Sequence, residues 1–271
     1  MKKTMIMAVA ALMTASAMAS CGQTGTYSSE TVVVSDYPAP LNYREVKKGD
    51  KVERDMKVGK FASVELTGSV TVIYVQDKQC RVVLTGESKD LDCYTAEVKN
   101  GTLRVKYTNK RKGLFGSTPE VKAYLYAPSL EGIVLAGAGD LKMPQKVAQD
   151  GDMDIMLSGA GNIKAKDLKV RSLSVTVSGA GNVDIDHLTA SKDVHLTVSG
   201  AGDMEADIEA RDVYSLVSGS GDMDLTVDCR VLESTVSGTG DMELKGKCQH
   251  ARTVSSGWSR MDTKHLKVTG K

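Results

Sequence analysis

Aromatic residues are scarce in this chain, 4% of its 271 residues, with a single tryptophan and two phenylalanines. Rings supply much of the contact area in roomy apolar pockets and in stacking platforms for single-stranded nucleic acid, so both roles are disfavoured. Proline occurs only five times, which excludes a collagen-like or proline-rich composition despite 26 glycines. Charge of one sign is missing as well: 35 Lys and Arg stand against 34 Asp and Glu. No global field therefore draws in DNA or an anionic bilayer, and nucleic acid is not expected as a partner. Long apolar runs are absent too, since residues 5–13 fall well short of the roughly 20 that a membrane-spanning helix needs. What is plentiful is glycine with valine and threonine, a composition that leans towards an all-β fold.

The N-terminus reads as an export signal over residues 1–20. Lys2 and Lys3 form its positive region, residues 5–13 its apolar region, and residues 15–20 a small-residue stretch. Met18-Ala19-Ser20-Cys21 resembles the lipobox of bacterial lipoproteins, with Met18 in place of the usual Leu. The resemblance implies that Cys21 becomes the lipidated first residue of the mature protein. Attachment to a membrane would then rest on acyl chains, at roughly 0.8 kcal/mol per buried CH₂, and not on a polybasic patch. The expected address is the bacterial envelope, an outer-membrane lipoprotein on its periplasmic or exposed side, where disulfides persist. Residues 21–56 carry Ser28, Ser29, Pro38, Pro40 and mixed charges without sustained periodicity, and are expected to be a tether.

From residue 57 to 130 the period is two: Val64 and Leu66, Val70, Val72 and Tyr74, Val82 and Leu84, Leu103 and Val105, Val121 and Leu125. Asn100-Gly101 between Val98 and Leu103 predicts a two-residue hairpin with positive φ at both positions. Residues 109–119 form a basic loop, read as a solvated tip or a dock for an anionic group.

Residues 131–271 repeat. Ala136-Gly137-Ala138-Gly139-Asp140 returns as Ser158-Gly159-Ala160-Gly161-Asn162, then at Gly179, Gly200, Gly219 and Gly238, with a degraded seventh copy Ser256-Gly257-Trp258-Ser259-Arg260. First glycines at 137, 159, 179, 200, 219, 238 and 257 define a period near 20, the spacing of a solenoid. Apolar alternation runs on both sides of the motif, for example Leu173, Val175 and Val177 before it and Val183 and Ile185 after it. Two strands therefore meet at a corner, and the predicted fold is an all-β parallel β-helix of about seven rungs, capped or extended by the N-terminal strands. Crossovers between parallel strands are overwhelmingly right-handed, which sets the expected winding.

The paired glycines are expected to supply positive φ at a sharp corner and room for successive corners to stack. After them runs a ladder of Asp140, Asn162, Asn182, Asp203, Asp222 and Asp241. Its Asp and Asn fit turn and capping roles, while the like charges of Asp203, Asp222 and Asp241 leave open a ligand-binding edge or a Ca²⁺ site. Cys229 and Cys248 share one phase and should stack; a disulfide between them, or between Cys80 and Cys93, stands beside the alternative of buried free thiols. No cysteine has metal-ligand spacing, and no cofactor other than that Ca²⁺ is implied. His187, His195, His250 and His265 fall in different phases, so no catalytic triad is indicated. Trp258 is expected to help cover the terminal rung, or else to stack on a sugar.

These features together resemble the family of the putative auto-transporter adhesin, head GIN domain, common among Bacteroides-type lipoproteins. The carriers are Phe61-Ala62-Ser63-Val64-Glu65-Leu66, residues 100–105, residues 126–133 and the Ser-Gly-x-Gly repeats. The resemblance implies a β-solenoid on the cell envelope with an adhesin-like role, and brings no catalytic residues. The expected function is thus a binding or structural module, with a glycan or an envelope or host protein as partner. The competing class is a polysaccharide-processing enzyme of the β-helix type, which needs clustered carboxylates in a groove.

Overall fold

Strict alternation of buried and exposed residues carries the sequence into strands, and the computed structural model describes them over residues 51–108 and 121–270. The signal region, Cys21, most of the expected tether and the basic loop at 109–119 lie outside the described residues. The N-terminal strands are β1 (Lys51–Met56), β2 (Ser63–Thr67), β3 (Thr71–Gln76), β4 (Arg81–Glu87), β5 (Tyr94–Lys99), β6 (Thr102–Tyr107) and β7 (Lys122–Ala127). A single turn of helix, α1 (Ser88–Leu91), joins β4 to β5. The repeats give β8 (Gly132–Leu135), β9 (Leu141–Ala148), β10 (Met153–Leu157), β11 (Ile163–Val170), β12 (Leu173–Val177), β13 (Val183–Val198), β14 (Met204–Val217), β15 (Met223–Val236), β16 (Met242–Ser255) and β17 (Met261–Val268).

Each rung contributes one strand to each of two faces. Face A runs from β9 through β11 and the first halves of β13, β14, β15 and β16 to β17, all parallel. Face B runs from β8 through β10 and β12 to the second halves of β13 to β16, also parallel. Seven turns follow from β8 onward, as the glycine spacing predicts. The inward row is buried throughout: Val175 1%, Leu196 1%, Val217 0%, Met223 0% and Leu225 1% exposed. No rung could bury this row alone, so stability is a sum over neighbouring interfaces.

The N-terminal strands extend the coil and then cap it. Strands β2 and β3 stack in parallel on β8 and β9, and β6 and β7 stack in parallel on the far side of β2 and β3. Antiparallel strands finish this end: β5 on β6, β4 on β7, and β1 on β4. The β5–β6 turn is the expected hairpin, with φ of 53° at Asn100 and 75° at Gly101. The boundary expected at residue 56 is different in the structure, because Lys51–Met56 pairs along its whole length with β4 and buries Val52. Its alternating charges hide a strand that fully buries one apolar side chain, with Met56 partly buried against the same core. One hydrophobic cluster runs from Val52 and Phe61 to Leu244 and Cys248.

Candidate binding surfaces

The glycine corner is held by the backbone itself. The amide of Ala180 donates to the carbonyl of Gly159 at 3.0 Å, and those of Ala201, Ser220 and Thr239 repeat the bond to Gly179, Gly200 and Gly219 at 3.0 Å. A Cβ on Gly181 would lie far inside 3.0 Å of the Gly161 carbonyl oxygen, and Gly200 meets Gly179 in the same way. Close stacking, and not positive φ, is therefore what these positions require: among described glycines only Gly68, Gly101, Gly246 and Gly257 have positive φ. The half of the expectation that rested on left-handed geometry fails for the corner pairs.

The Asp and Asn ladder has an equally local task. Oδ1 of Asp140 accepts the Asn162 amide at 2.9 Å, and the pattern climbs through Asn162, Asn182, Asp203 and Asp222 to Asp241, which accepts the Arg260 amide at 2.9 Å. Each carboxylate thus faces the positive end of an N–H dipole in the next rung, which offsets the repulsion among Asp203, Asp222 and Asp241 without an ion. In the degraded last copy Arg260 takes the ladder position, its guanidinium 3.7 Å from Asp241. Among the described residues no group of three or more His, Cys, Asp or Glu is arranged to hold a metal ion.

The opposite corner carries a second ladder that sequence reading missed, although Arg171, Lys192, Arg211 and Arg230 recur at rung spacing. Arg171 chelates Asp152 of the rung before at 2.7 and 2.6 Å, and Arg211 reaches Asp193 at 2.5 Å. Asp212, 3% exposed, is gripped by Arg230 at 3.0 and 2.6 Å and by Arg211 at 3.1 Å. Burial alone would push the Asp212 carboxyl up, but hydrogen bonds and charge from Arg230 and then Arg211 outweigh it and hold it below the usual range. A depressed folded-state value means that the stabilisation is complete above the unfolded value near 3.9 and is lost as pH falls through the folded one. Asp212→Asn should lower stability by about 1–3 kcal/mol at neutral pH. It should also flatten the acid limb of the stability profile. Urea denaturation at stepped pH checks both, and equal acid sensitivity of variant and parent would contradict this account.

Cys229 and Cys248 stack in register as expected. Both are free, as are Cys80 and Cys93, whose sulfurs lie 3.7 Å from the carbonyls of Phe61 and Lys89. Parallel Cβ vectors on adjacent rungs suit a disulfide dihedral poorly. Burial, and then the neighbouring Cys248, push the Cys229 thiol up to about 12, which keeps it protonated and unreactive.

Outside the coil the two faces differ. Face A carries Asp184, Glu205, Asp224, Glu243 and Asp262 in one register column. A shallow groove beside it is lined by Asp184, Asp186, Glu205, Asp207, Asp224 and Lys245. Burial, then the charge of Glu243, raises the Asp224 carboxyl, with Lys245 acting against them. Face B is less acidic: Asp154, Ser174, His195, Tyr214, Glu233 and Arg252 form one outer column with charges only towards its ends, and Met156, Thr176, Thr197, Leu216, Thr235 and Val254 form the next, which is uncharged. His195 lies flat on Tyr214, ring centroids 4.7 Å apart and planes 8° apart. On face A, Nδ1 of His187 sits 3.3 Å from the Asp207 carboxylate. Trp258 does not cover the last rung: it is 93% exposed, because the strand before it has no neighbour to hold the ring down.

Comparison with known proteins bears on the same residues. The family described as putative auto-transporter adhesin, head GIN domain, matches residues 60–207 and 203–270. A crystal structure of a putative adhesin from Bacteroides fragilis superposes with a TM-score of 0.73 at 23% identity, covering 79% of this chain and 97% of the other. A putative adhesin from Parabacteroides distasonis gives 0.62 at 17% identity with the same coverage. A putative lipid binding protein from Parabacteroides distasonis gives 0.55 at 21%, again with that coverage. At these identities the likeness shows the fold. No curated protein matches the chain. With both stretches of the match spanning the coil from its first strands to its last, the chain belongs to the family of the putative auto-transporter adhesin, head GIN domain.

Proposed function

We propose that the chain is the head of a lipid-anchored envelope adhesin that grips an extended target along the outer surface of face B. The observation that carries this reading is the stacked His195–Tyr214 pair beside the uncharged column of Thr176, Thr197, Leu216 and Thr235, with Leu216 37% and Met156 47% exposed. An aromatic pair held rigid by sheet pairing offers contact area at little entropic cost, which suits a sugar ring or an apolar side chain of a surface protein. The charged face A would be turned aside from the target, and Cys21 would tether the whole to the membrane through acyl chains.

Tyr214→Ser combined with His195→Ala should weaken binding to positive probes on a glycan and host-protein array by about 3–10-fold, from the loss of stacking contacts alone. A reducing-sugar assay on the same probes should show no turnover. Turnover abolished by a single Asp→Asn change would replace the adhesin by a β-helix enzyme. Cys21→Ser should move the protein from the membrane to the soluble fraction, and a variant that stays with the membrane would rule out the acyl anchor.

A further inference from the structure

The last rung is half built. Strand β17 prolongs face A beyond β16, pairing with Met242, Glu243 and residues 245–248, whereas residues 250–255 on face B pair only with β15. Among the described residues no strand pairs with their other side; only the ends are touched, where the Ser255 hydroxyl donates to the Ser259 carbonyl at 3.3 Å and Gly270 adjoins His250. The contrast with the rung before is large: Leu232, Ser234 and Val236 are 0%, 1% and 0% exposed, while their register partners Ala251, Thr253 and Ser255 are all exposed. Opposite them, Met261 and Leu266 of β17 are partly buried against the core and Val268 is 50% exposed. The two faces thus leave a slot one strand wide between a bare sheet edge and an apolar shelf.

The backbone shows what fits the slot. In a parallel ladder alternate residues turn both amide and carbonyl to the same side. Ser256 donates to the Val236 carbonyl, so Ser256, Val254 and Arg252 face inward along the sheet towards β15. Ala251, Thr253 and Ser255 therefore present their amides and carbonyls to the bare edge. Gln249, in the same phase, already uses its carbonyl on that side, accepting the Gly270 amide at 2.8 Å. A row of donors and acceptors at strand spacing matches another extended backbone, not a sugar polymer.

Charge then selects the partner. Residues 245–271 hold seven Lys and Arg against Asp262 alone, whereas residues 181–244 hold 14 Asp and Glu against three Lys and Arg. Balanced overall charge hides this segregation. Lys245, Lys247, Arg260 and Lys264 spend their charge on neighbouring carboxylates, but no ion pair occupies Arg252 or Lys267 among the described residues. Basic residues on an edge strand also guard against aggregation. A guard role alone does not explain why Val254, Trp258 and Val268, three of the five large apolar side chains exposed among the described residues, gather at this end. The basic charge also opposes pairing of two such ends. We infer that the open edge at residues 250–255 is a docking site for an acidic, extended polypeptide strand of a partner protein, added to face B with its apolar side chains over Met261, Leu266 and Val268 and its carboxylates near Arg252 and Lys267.

The test uses the full-length chain in detergent, with Trp258, its only tryptophan, as the reporter. The probes are a blocked nine-residue peptide alternating valine with glutamate, the same peptide with lysine for glutamate, and an N-methylated glutamate peptide that cannot pair along an edge. The glutamate peptide should shift the Trp258 emission saturably, and the other two should bind at least about tenfold more weakly. Thr253→Pro removes an amide that faces the bare side and should abolish the shift while leaving the melting curve unchanged, since proline is tolerated on strand edges. Should that variant fold poorly, the exposed pair Arg252→Glu and Lys267→Glu should reverse the preference between the glutamate and lysine peptides. Equal binding of all three peptides, or of a soluble polyanionic polysaccharide with no effect of Thr253→Pro, would overturn the assignment. So would concentration-dependent self-association abolished by Thr253→Pro, which would make the occupant a second copy.

Discussion

Gly181→Ala is expected to destabilise the protein by about 4 kcal/mol or more, a loss at the extreme of single substitutions. The reason lies in backbone meeting backbone. The new methyl would run into the carbonyl oxygen and carbon of Gly161 and the carbonyl carbon of Ala160, none of which can swing away as a side-chain tip can. Relief requires the two rungs to part, which weakens the 3.0 Å bond from the Ala180 amide to the Gly159 carbonyl and the 3.1 Å bond from the Asn182 amide to Oδ1 of Asn162. Ala180→Gly, one residue away, is the control, because that side chain points off the stack; it should cost no more than about 1 kcal/mol. Thermal and urea unfolding of both variants checks the contrast. Near-equal stabilities would mean that the corner stacks through something other than the missing Cβ.

The second large effect is a core deletion. Leu225 is 1% exposed and lies in register between Ala206 and Leu244, so Leu225→Ala would place two adjacent alanines in one inward column. Neighbouring rungs are pinned by main-chain bonds and cannot collapse into the gap. A loss of about 2–5 kcal/mol is expected. The same change at Leu216, 37% exposed on the outside of face B, should cost well under 1 kcal/mol and serves as the comparison.

Much of this architecture was legible in the residues because a solenoid repeats its constraints. Val175, Leu196 and Met223 could be placed in the core from spacing alone, since a one-residue slip would turn each of them to solvent. The Asn100-Gly101 turn was equally plain. What could not be read was non-local. Nothing in the order of β2, β3, β6 and β7 announces that the later pair stacks on the far side of the earlier one. Lys51–Met56 reads as tether because a strand with one fully buried valine has the composition of a linker. The Arg–Asp corner escaped notice because Asp212 bonds to an arginine 18 residues away, and only the fold makes those neighbours. Trp258 misled for a related reason: an aromatic at the end of a repeat looks like a lid until the strand beneath it proves to have no companion.

The placement of β6 and β7 outside β2 and β3 has a consequence for how the protein is made. A chain that emerges N-terminus first delivers β2 and β3 while both of their flanks are vacant, and one flank must wait for β6 and β7 while the other waits for β8 and β9. The later rungs have no such delay, because each lies down on the one synthesised just before it. Local closure is fast and distant closure slow, so order should begin in the middle of the coil and spread back to its start. Pulse-labelled hydrogen exchange would then find the amides of β14 and β15 protected before those of β2 and β3.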